Sequence, residues 1–61
     1  MMKEYIDGLE KMIKEETERL NLFNRCERKG ITGVDFEMLR QRSEENRSLY
    51  QKLKKHAETS V

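Results

Sequence analysis

The stretch Lys29-Gly30-Ile31-Thr32-Gly33-Val34-Asp35-Phe36 decides the fold, because it contains the signals that end one helix and start another. Gly30 is suited to the left-handed backbone conformation that terminates a helix. Thr32 is suited to cap the next helix, with Asp35 three residues further on at the acidic position of a capping box. The sequence therefore predicts two helices joined by a tight turn near the midpoint of the chain.

Residues on both sides of this turn follow the alternating three- and four-residue spacing of a coiled-coil seam. In the first half the series comprises Met2, Ile6, Leu9, Ile13, Glu16, Leu20, Phe23 and Glu27. In the second half it comprises Phe36, Leu39, Ser43, Asn46, Tyr50, Leu53 and Ala57. We therefore predict one all-α domain over residues 1–61, an antiparallel hairpin with a helix over about 2–29, a turn over 30–32, a helix over about 33–57 and a frayed tail over 58–61.

The composition limits how stable such a hairpin is on its own. Of the 61 residues, 34% are hydrophobic and 41% are charged, so the two helices share one thin core. A single cysteine excludes an internal disulfide, and one histidine with one cysteine is too few for an internal zinc site. Chains of this size commonly gain the missing stability from a partner. We therefore expect no cofactor, and a homodimer in which two hairpins form a four-helix bundle.

A polar layer is predicted at the middle of the hairpin. A turn near Ile31 pairs residues whose numbers add to about 62, which brings Glu16 opposite Asn46. Ser43 lies one turn away, and all three occupy seam positions where an apolar residue is expected. Such a layer fixes the register and the oligomeric state of a bundle. A ligand-binding or catalytic role for Glu16 is the alternative, although no histidine, second acid or metal ligand accompanies it.

Further apolar residues lie beside the seam, and a two-helix hairpin cannot cover all of them. The residues that we expect to contact another protein are Tyr5, Met12, Leu22, Met38 and Tyr50. Their division between self-association and an unidentified protein partner is left open. The preferred function is therefore that of a small non-enzymatic interaction or regulatory protein that acts through an apolar helix face.

The hairpin tip supports an alternative function, that of a nucleic-acid-associated accessory protein. The basic residues clustered there are Arg25, Arg28, Lys29 and Arg40. Binding to phosphates needs a basic patch of this kind. However, acidic residues are interspersed, and 13 basic residues against 12 acidic ones leave a net charge of only +1. Nucleic-acid binding is therefore the second candidate.

A third candidate comes from a family resemblance. Arg28-Lys29-Gly30-Ile31-Thr32-Gly33, followed by Ser43-Glu44-Glu45, resembles the short helical-hairpin phosphatases that act on sporulation response regulators. Those proteins have a glycine-containing turn and a Ser-Gln-x-Leu-Asp signature on the second helix. Ser43 matches this signature, whereas its Gln, Leu and catalytic Asp are replaced here by Glu44, Asn46 and Arg47. The resemblance implies a hairpin fold, a protein partner and an aspartyl-phosphate phosphatase-like regulator.

Three features of the sequence bear on where the protein is located in the cell. The sequence shows no secretory signal and no apolar run long enough to cross a membrane. A lone thiol fits the reducing environment of the cytoplasm. We therefore predict a cytoplasmic protein that has no membrane partner.

Overall fold

The computed structural model describes residues 2–59, which form two helices that pack against each other. Helix α1 spans Met2–Arg28 and helix α2 spans Phe36–Thr59. Of residues 2–59, 88% are helical, and no strand occurs among them. The hairpin is a rod whose Cα atoms extend over 47 × 15 × 12 Å. The prediction of an all-α antiparallel hairpin is therefore confirmed.

The end of α1 is closed by backbone hydrogen bonds of the Schellman type. The amide of Gly30 donates to the carbonyl of Glu27 at 3.1 Å, and the amide of Ile31 donates to the carbonyl of Cys26 at 3.3 Å. Gly30 has a φ of 79°, so the left-handed conformation predicted for it is confirmed. These bonds satisfy carbonyl groups that the end of a helix leaves without an intrahelical partner.

The start of α2 differs from the prediction, because the capping residue is Asp35 and not Thr32. The amide of Met38 donates to Oδ1 of Asp35 at 3.0 Å, which is the bond that an N-cap side chain accepts. Thr32 lies in a loop over residues 29–35 instead of a turn over 30–32. Gly33 gives this loop a second left-handed residue, with a φ of 81°. The connection is therefore longer than predicted, and α2 begins at Phe36 rather than at residue 33.

The remaining helix ends lie within two residues of the prediction. Helix α1 ends at Arg28 rather than at residue 29, and α2 continues to Thr59 rather than ending at residue 57. The Thr59 hydroxyl shares a hydrogen bond between the carbonyls of Lys55 and His56, at 3.1 and 3.0 Å. Residues 58 and 59 are therefore helical where we predicted a frayed tail, and the rest of that tail lies outside the described residues, as does residue 1.

The longer loop also changes the register of the two helices. Contacts between the helices join Glu10 to Lys54 and Thr17 to Arg47, and the numbers in each of these pairs add to 64. The predicted register, in which they add to about 62, assumed a three-residue turn. At these two contacts each residue of α1 therefore lies opposite a residue of α2 that is about two positions further along than predicted, and nearer the turn the Glu27–Arg40 pair is shifted further, since its numbers add to 67.

The face that α2 turns toward α1 is rotated relative to the predicted series. Its half-buried and buried residues with seam spacing are Phe36, Arg40, Ser43, Arg47, Tyr50, Lys54 and Ala57. Arg47 and Lys54 therefore take the positions that we assigned to Asn46 and Leu53, whereas the predicted Leu39 and its neighbour Arg40 are both half-buried. Long basic side chains are suited to the edge of a seam, because their apolar stems pack while their charged ends stay in water.

Candidate interaction surface

One long face of the hairpin is closed by polar contacts between the helices. These contacts are Glu10–Lys54 at 3.3 Å, Thr17–Arg47 at 3.2 Å and Glu27–Arg40 at 2.8 Å. The three basic residues recur every seven positions, so they follow one side of the seam along the whole of α2. We call this side of the hairpin the bonded face.

The opposite long face of the hairpin is bordered by exposed apolar side chains rather than by Arg40, Arg47 and Lys54. Its residues come one position before seam residues, which turns them about 100° away from the seam on each helix. The large apolar side chains on it are Tyr5, Met12, Leu22, Leu49 and Leu53, with exposed fractions of 37–52%. Met38, also half exposed, lies at its edge. We call this side the apolar face.

A buried ion pair lies between the two faces. The side chain of Glu16 is 6% exposed, and Nη1 of Arg19 donates to its Oε1 at 2.7 Å. Arg19 is 48% exposed and lies on the side of α1 that belongs to the apolar face. The buried carboxylate is therefore neutralised from its own helix. The sequence analysis missed Arg19, although the Glu-x-x-Arg spacing that places the two side chains on one helix surface was visible.

The predicted polar layer is only partly buried. Glu16 and Ser43 are 5% and 4% exposed, respectively. Asn46, by contrast, is exposed, because the rotation of α2 moves it off the seam and places Arg47 there. Arg47 bonds to Thr17 rather than to Glu16. The burial predicted for Asn46 is therefore wrong. Ser43, which matches the phosphatase signature, is enclosed between the helices.

The structure separates the five predicted contact residues into two groups. Tyr5, Met12, Leu22 and Met38 are 40–49% exposed on or beside the apolar face. Tyr50 is half-buried at a seam position of α2. Leu53 joins the surface instead, since the rotation that brings Lys54 to the seam turns its neighbour outward.

The basic residues of the tip do not form one patch. Arg25, Arg28 and Lys29 together line a depression on the outer surface of α1. Arg40 instead forms an ion pair across the seam with Glu27. Within residues 2–59, no group of three or more His, Cys, Asp or Glu side chains is arranged to hold a metal ion. Over the same range, neither helix offers an apolar stretch of the length that a bilayer crossing requires.

No known protein family, curated protein or solved structure matches this chain. The surface itself is therefore the basis on which a function is assigned. Its main feature is the contrast between a face that the chain closes with its own side chains and a face that it leaves apolar.

Proposed function

We propose that this chain is a small non-enzymatic interaction or regulatory protein that works by packing its apolar face against another protein. The observation that supports this function is the difference between the two long faces. The bonded face is closed by contacts such as Glu10–Lys54 and Thr17–Arg47. The apolar face leaves five large apolar side chains 37–52% exposed, and a concentration of exposed apolar side chains on one face is typical of an interaction site.

The total surface area supports the same proposal. A compact monomer of this mass, 7.4 kDa, exposes about 4,200 Å² by the usual scaling of area with mass. This chain exposes 4993 Å². The excess is about 800 Å², which is close to the area that each partner contributes to a protein–protein interface of standard size.

The spacing of the apolar residues fits a helical partner. Tyr5 and Met12 are seven residues apart on α1, and Leu49 and Leu53 are four residues apart on α2. Anchors at these spacings lie in rows along a helix, which is how helices are recognised in grooves.

The test is capture of proteins from lysate of the source cells by three tagged forms of the chain. Leu49→Glu places a charge on the apolar face, and Leu49 is 52% exposed, so the hairpin itself is expected to fold. Gln51→Glu adds the same charge two residues away, on the other flank of α2, and is the matched control. We expect proteins that the wild type and Gln51→Glu retain to be lost by Leu49→Glu. Equal capture by all three forms contradicts the proposal.

Nucleic-acid binding at the tip is the second candidate, and the depression shared by Arg25, Arg28 and Lys29 is the observation that favours it. Three phosphate contacts predict that the logarithm of the binding constant falls with the logarithm of salt concentration at a slope of roughly −2 to −3. Titration of short DNA and RNA duplexes and single strands at several salt concentrations measures this slope. Binding that is absent at low salt removes the candidate.

A further inference from the structure

We propose that the apolar face is covered by a second copy of this chain, with α1 of one copy antiparallel to α1 of the other. This inference rests on the proposed function, because it names the protein that covers the face. The inference is based on a second series of residues on α1. Each member of this series comes one position before a seam residue, so the series has the same alternating three- and four-residue spacing as the seam. The central members of this series, which we call the α1 stripe, are Gly8, Met12, Glu15, Arg19, Leu22 and Cys26.

The α1 stripe is complementary to itself when it is reversed. Two antiparallel copies related by a twofold axis at residue 17 bring together residues whose numbers add to 34. Glu15 then meets Arg19 of the second copy, and the symmetry produces this ion pair twice. In the same register Met12 meets Leu22, and the small residue Gly8 meets Cys26. Charge is therefore matched at the centre of the stripe, and apolar groups are matched on both sides of it.

The side chains at the centre of the stripe are free to make these contacts. Glu15 is exposed and takes part in no hydrogen bond or ion pair within residues 2–59. Arg19 uses Nη1 for Glu16, and its guanidinium carries five N–H groups, so donors remain for a second carboxylate. A surface depression is lined by Glu15, Glu18, Arg19 and Leu22. Four residues at this spacing form the hole that receives a side chain of a facing helix.

The positions of residues on α2 are consistent with the same twofold axis. The contact between Thr17 and Arg47 places residue 17 of α1 level with residue 47 of α2. On α2 the residues before the seam include Asn46 and Leu49, which lie on either side of that level. One twofold axis therefore relates both helix pairs, and Leu49 of each copy packs against Asn46 of the other.

The other closed arrangement, with both hairpin tips at the same end, packs α1 of one copy against α2 of the other. In the observed register it places Glu15 against Leu49, and Leu22 against Arg42. Neither contact pairs a charge with its opposite, and Glu15 is left without a cation. The self-complementarity of the α1 stripe therefore favours the antiparallel arrangement, in which the excess surface of about 800 Å² per chain matches the requirement of a standard interface.

The first test is sedimentation equilibrium of the purified chain at micromolar concentrations. The wild type is expected at twice the monomer mass. Glu15→Arg places two arginines opposite each other at both symmetric contacts and is expected to raise the dimer dissociation constant roughly tenfold or more. Glu44→Arg makes the same charge change on the bonded face of α2, where Glu44 is exposed, and is expected to leave the dimer unchanged. Circular dichroism establishes that both variants remain helical.

The second test uses the single native cysteine with a short bis-maleimide cross-linker. In the antiparallel dimer the two Cys26 residues are about 27 Å apart along the helix axis, so the wild type does not cross-link. Gly8→Cys places a thiol opposite Cys26 of the second copy, and covalent dimers are expected. A Cβ at Gly8 meets no atom within 4 Å, so the hairpin tolerates the change. Asp7→Cys, at the same level on the outer surface, is the control and gives no dimer.

The remaining outcomes overturn the inference in distinguishable ways. Efficient cross-linking of the wild type, with none gained by Gly8→Cys, means that both tips lie at the same end. A monomer at micromolar concentration, together with a captured protein that Leu49→Glu loses, means that another chain covers the face and that the proposed function stands. Equal capture by all forms contradicts the proposed function itself.

Discussion

The bonded face and the apolar face are built from the same two helices, and they differ in the length and charge of the side chains that border the seam. On the bonded face Arg40, Arg47 and Lys54 reach across to α1 and close the gap. On the apolar face the large exposed side chains of α2 are Leu49 and Leu53, which have no charged end with which to form such a contact. The comparison teaches that a thin hairpin can close one side with its own side chains while large apolar side chains on the other side stay exposed.

The largest effect on stability is expected at Glu16, which lies between the two faces. Replacing a whole buried ion pair by apolar residues is often stabilising, by about 1–4 kcal/mol, whereas removing one partner is harmful when the other is left as a buried charge. Arg19 is 48% exposed and stays solvated when only Glu16 is changed. Glu16→Leu is therefore expected to raise the free energy of unfolding, measured by urea denaturation. The reason is that the carboxylate, 5% exposed in the folded chain, no longer has to be taken out of water.

Glu18→Leu is the matched control for this change, since Glu18 is exposed on the same helix. It is expected to change the free energy of unfolding by less than about 0.5 kcal/mol. Equal effects of the two substitutions would mean that Glu16 faces solvent, and the division of α1 into a bonded and an apolar side would be misplaced.

An intermediate effect is expected at the cap of α2, which sets the rotation of that helix and hence which residues border each face. Asp35→Ala removes the bond to the amide of Met38 and is expected to destabilise the hairpin by about 1 kcal/mol. Thr32→Ala is expected to cost less than about 0.5 kcal/mol, because Thr32 lies in the loop. Thermal melts in which Thr32→Ala is the more harmful change would place the start of α2 earlier and rotate both faces.

The smallest effect is expected on the bonded face itself. Lys54 and Glu10 are 30% and 53% exposed at their side chains, so solvent screens their attraction. Lys54→Ala is expected to cost a few tenths of a kcal/mol, and a double-mutant cycle with Glu10→Ala isolates that coupling. The coupling should vanish in high salt. A salt-independent coupling would contradict the assignment of this contact as an exposed ion pair.

The sequence alone was sufficient to predict the two helices, the glycine that ends α1 and the burial of Glu16. These features depend on local signals, namely apolar spacing and the left-handed preference of glycine. The choice between Thr32 and Asp35 as the cap was not determined by such signals, because both residue types cap helices well. Gly33 has a left-handed backbone conformation, which is incompatible with a helix that starts directly after Thr32. The residues that flank Gly33 do not predict this conformation.

The faces were harder to predict than the helices. The predicted series places Asn46 and Leu53 at the seam, one position before the Arg47 and Lys54 that the structure places there, while the predicted Leu39 is half-buried beside Arg40. The energy difference between these two rotations includes the packing of arginine and lysine stems, which a ranking of residues by hydrophobicity counts as polar. The same ranking passed over Arg19, whose guanidinium neutralises the buried carboxylate of Glu16.

The elongated shape of the hairpin has a consequence for how the molecule moves through solution. A single chain is about three times as long as it is wide, so its frictional drag exceeds that of a sphere of equal mass. A second chain laid alongside adds about 10 Å to the 12 Å thickness and nothing to the length of 47 Å. Pairing would therefore make the particle heavier and rounder at once. The frictional ratio would fall as concentration rises, whereas end-to-end association would increase it.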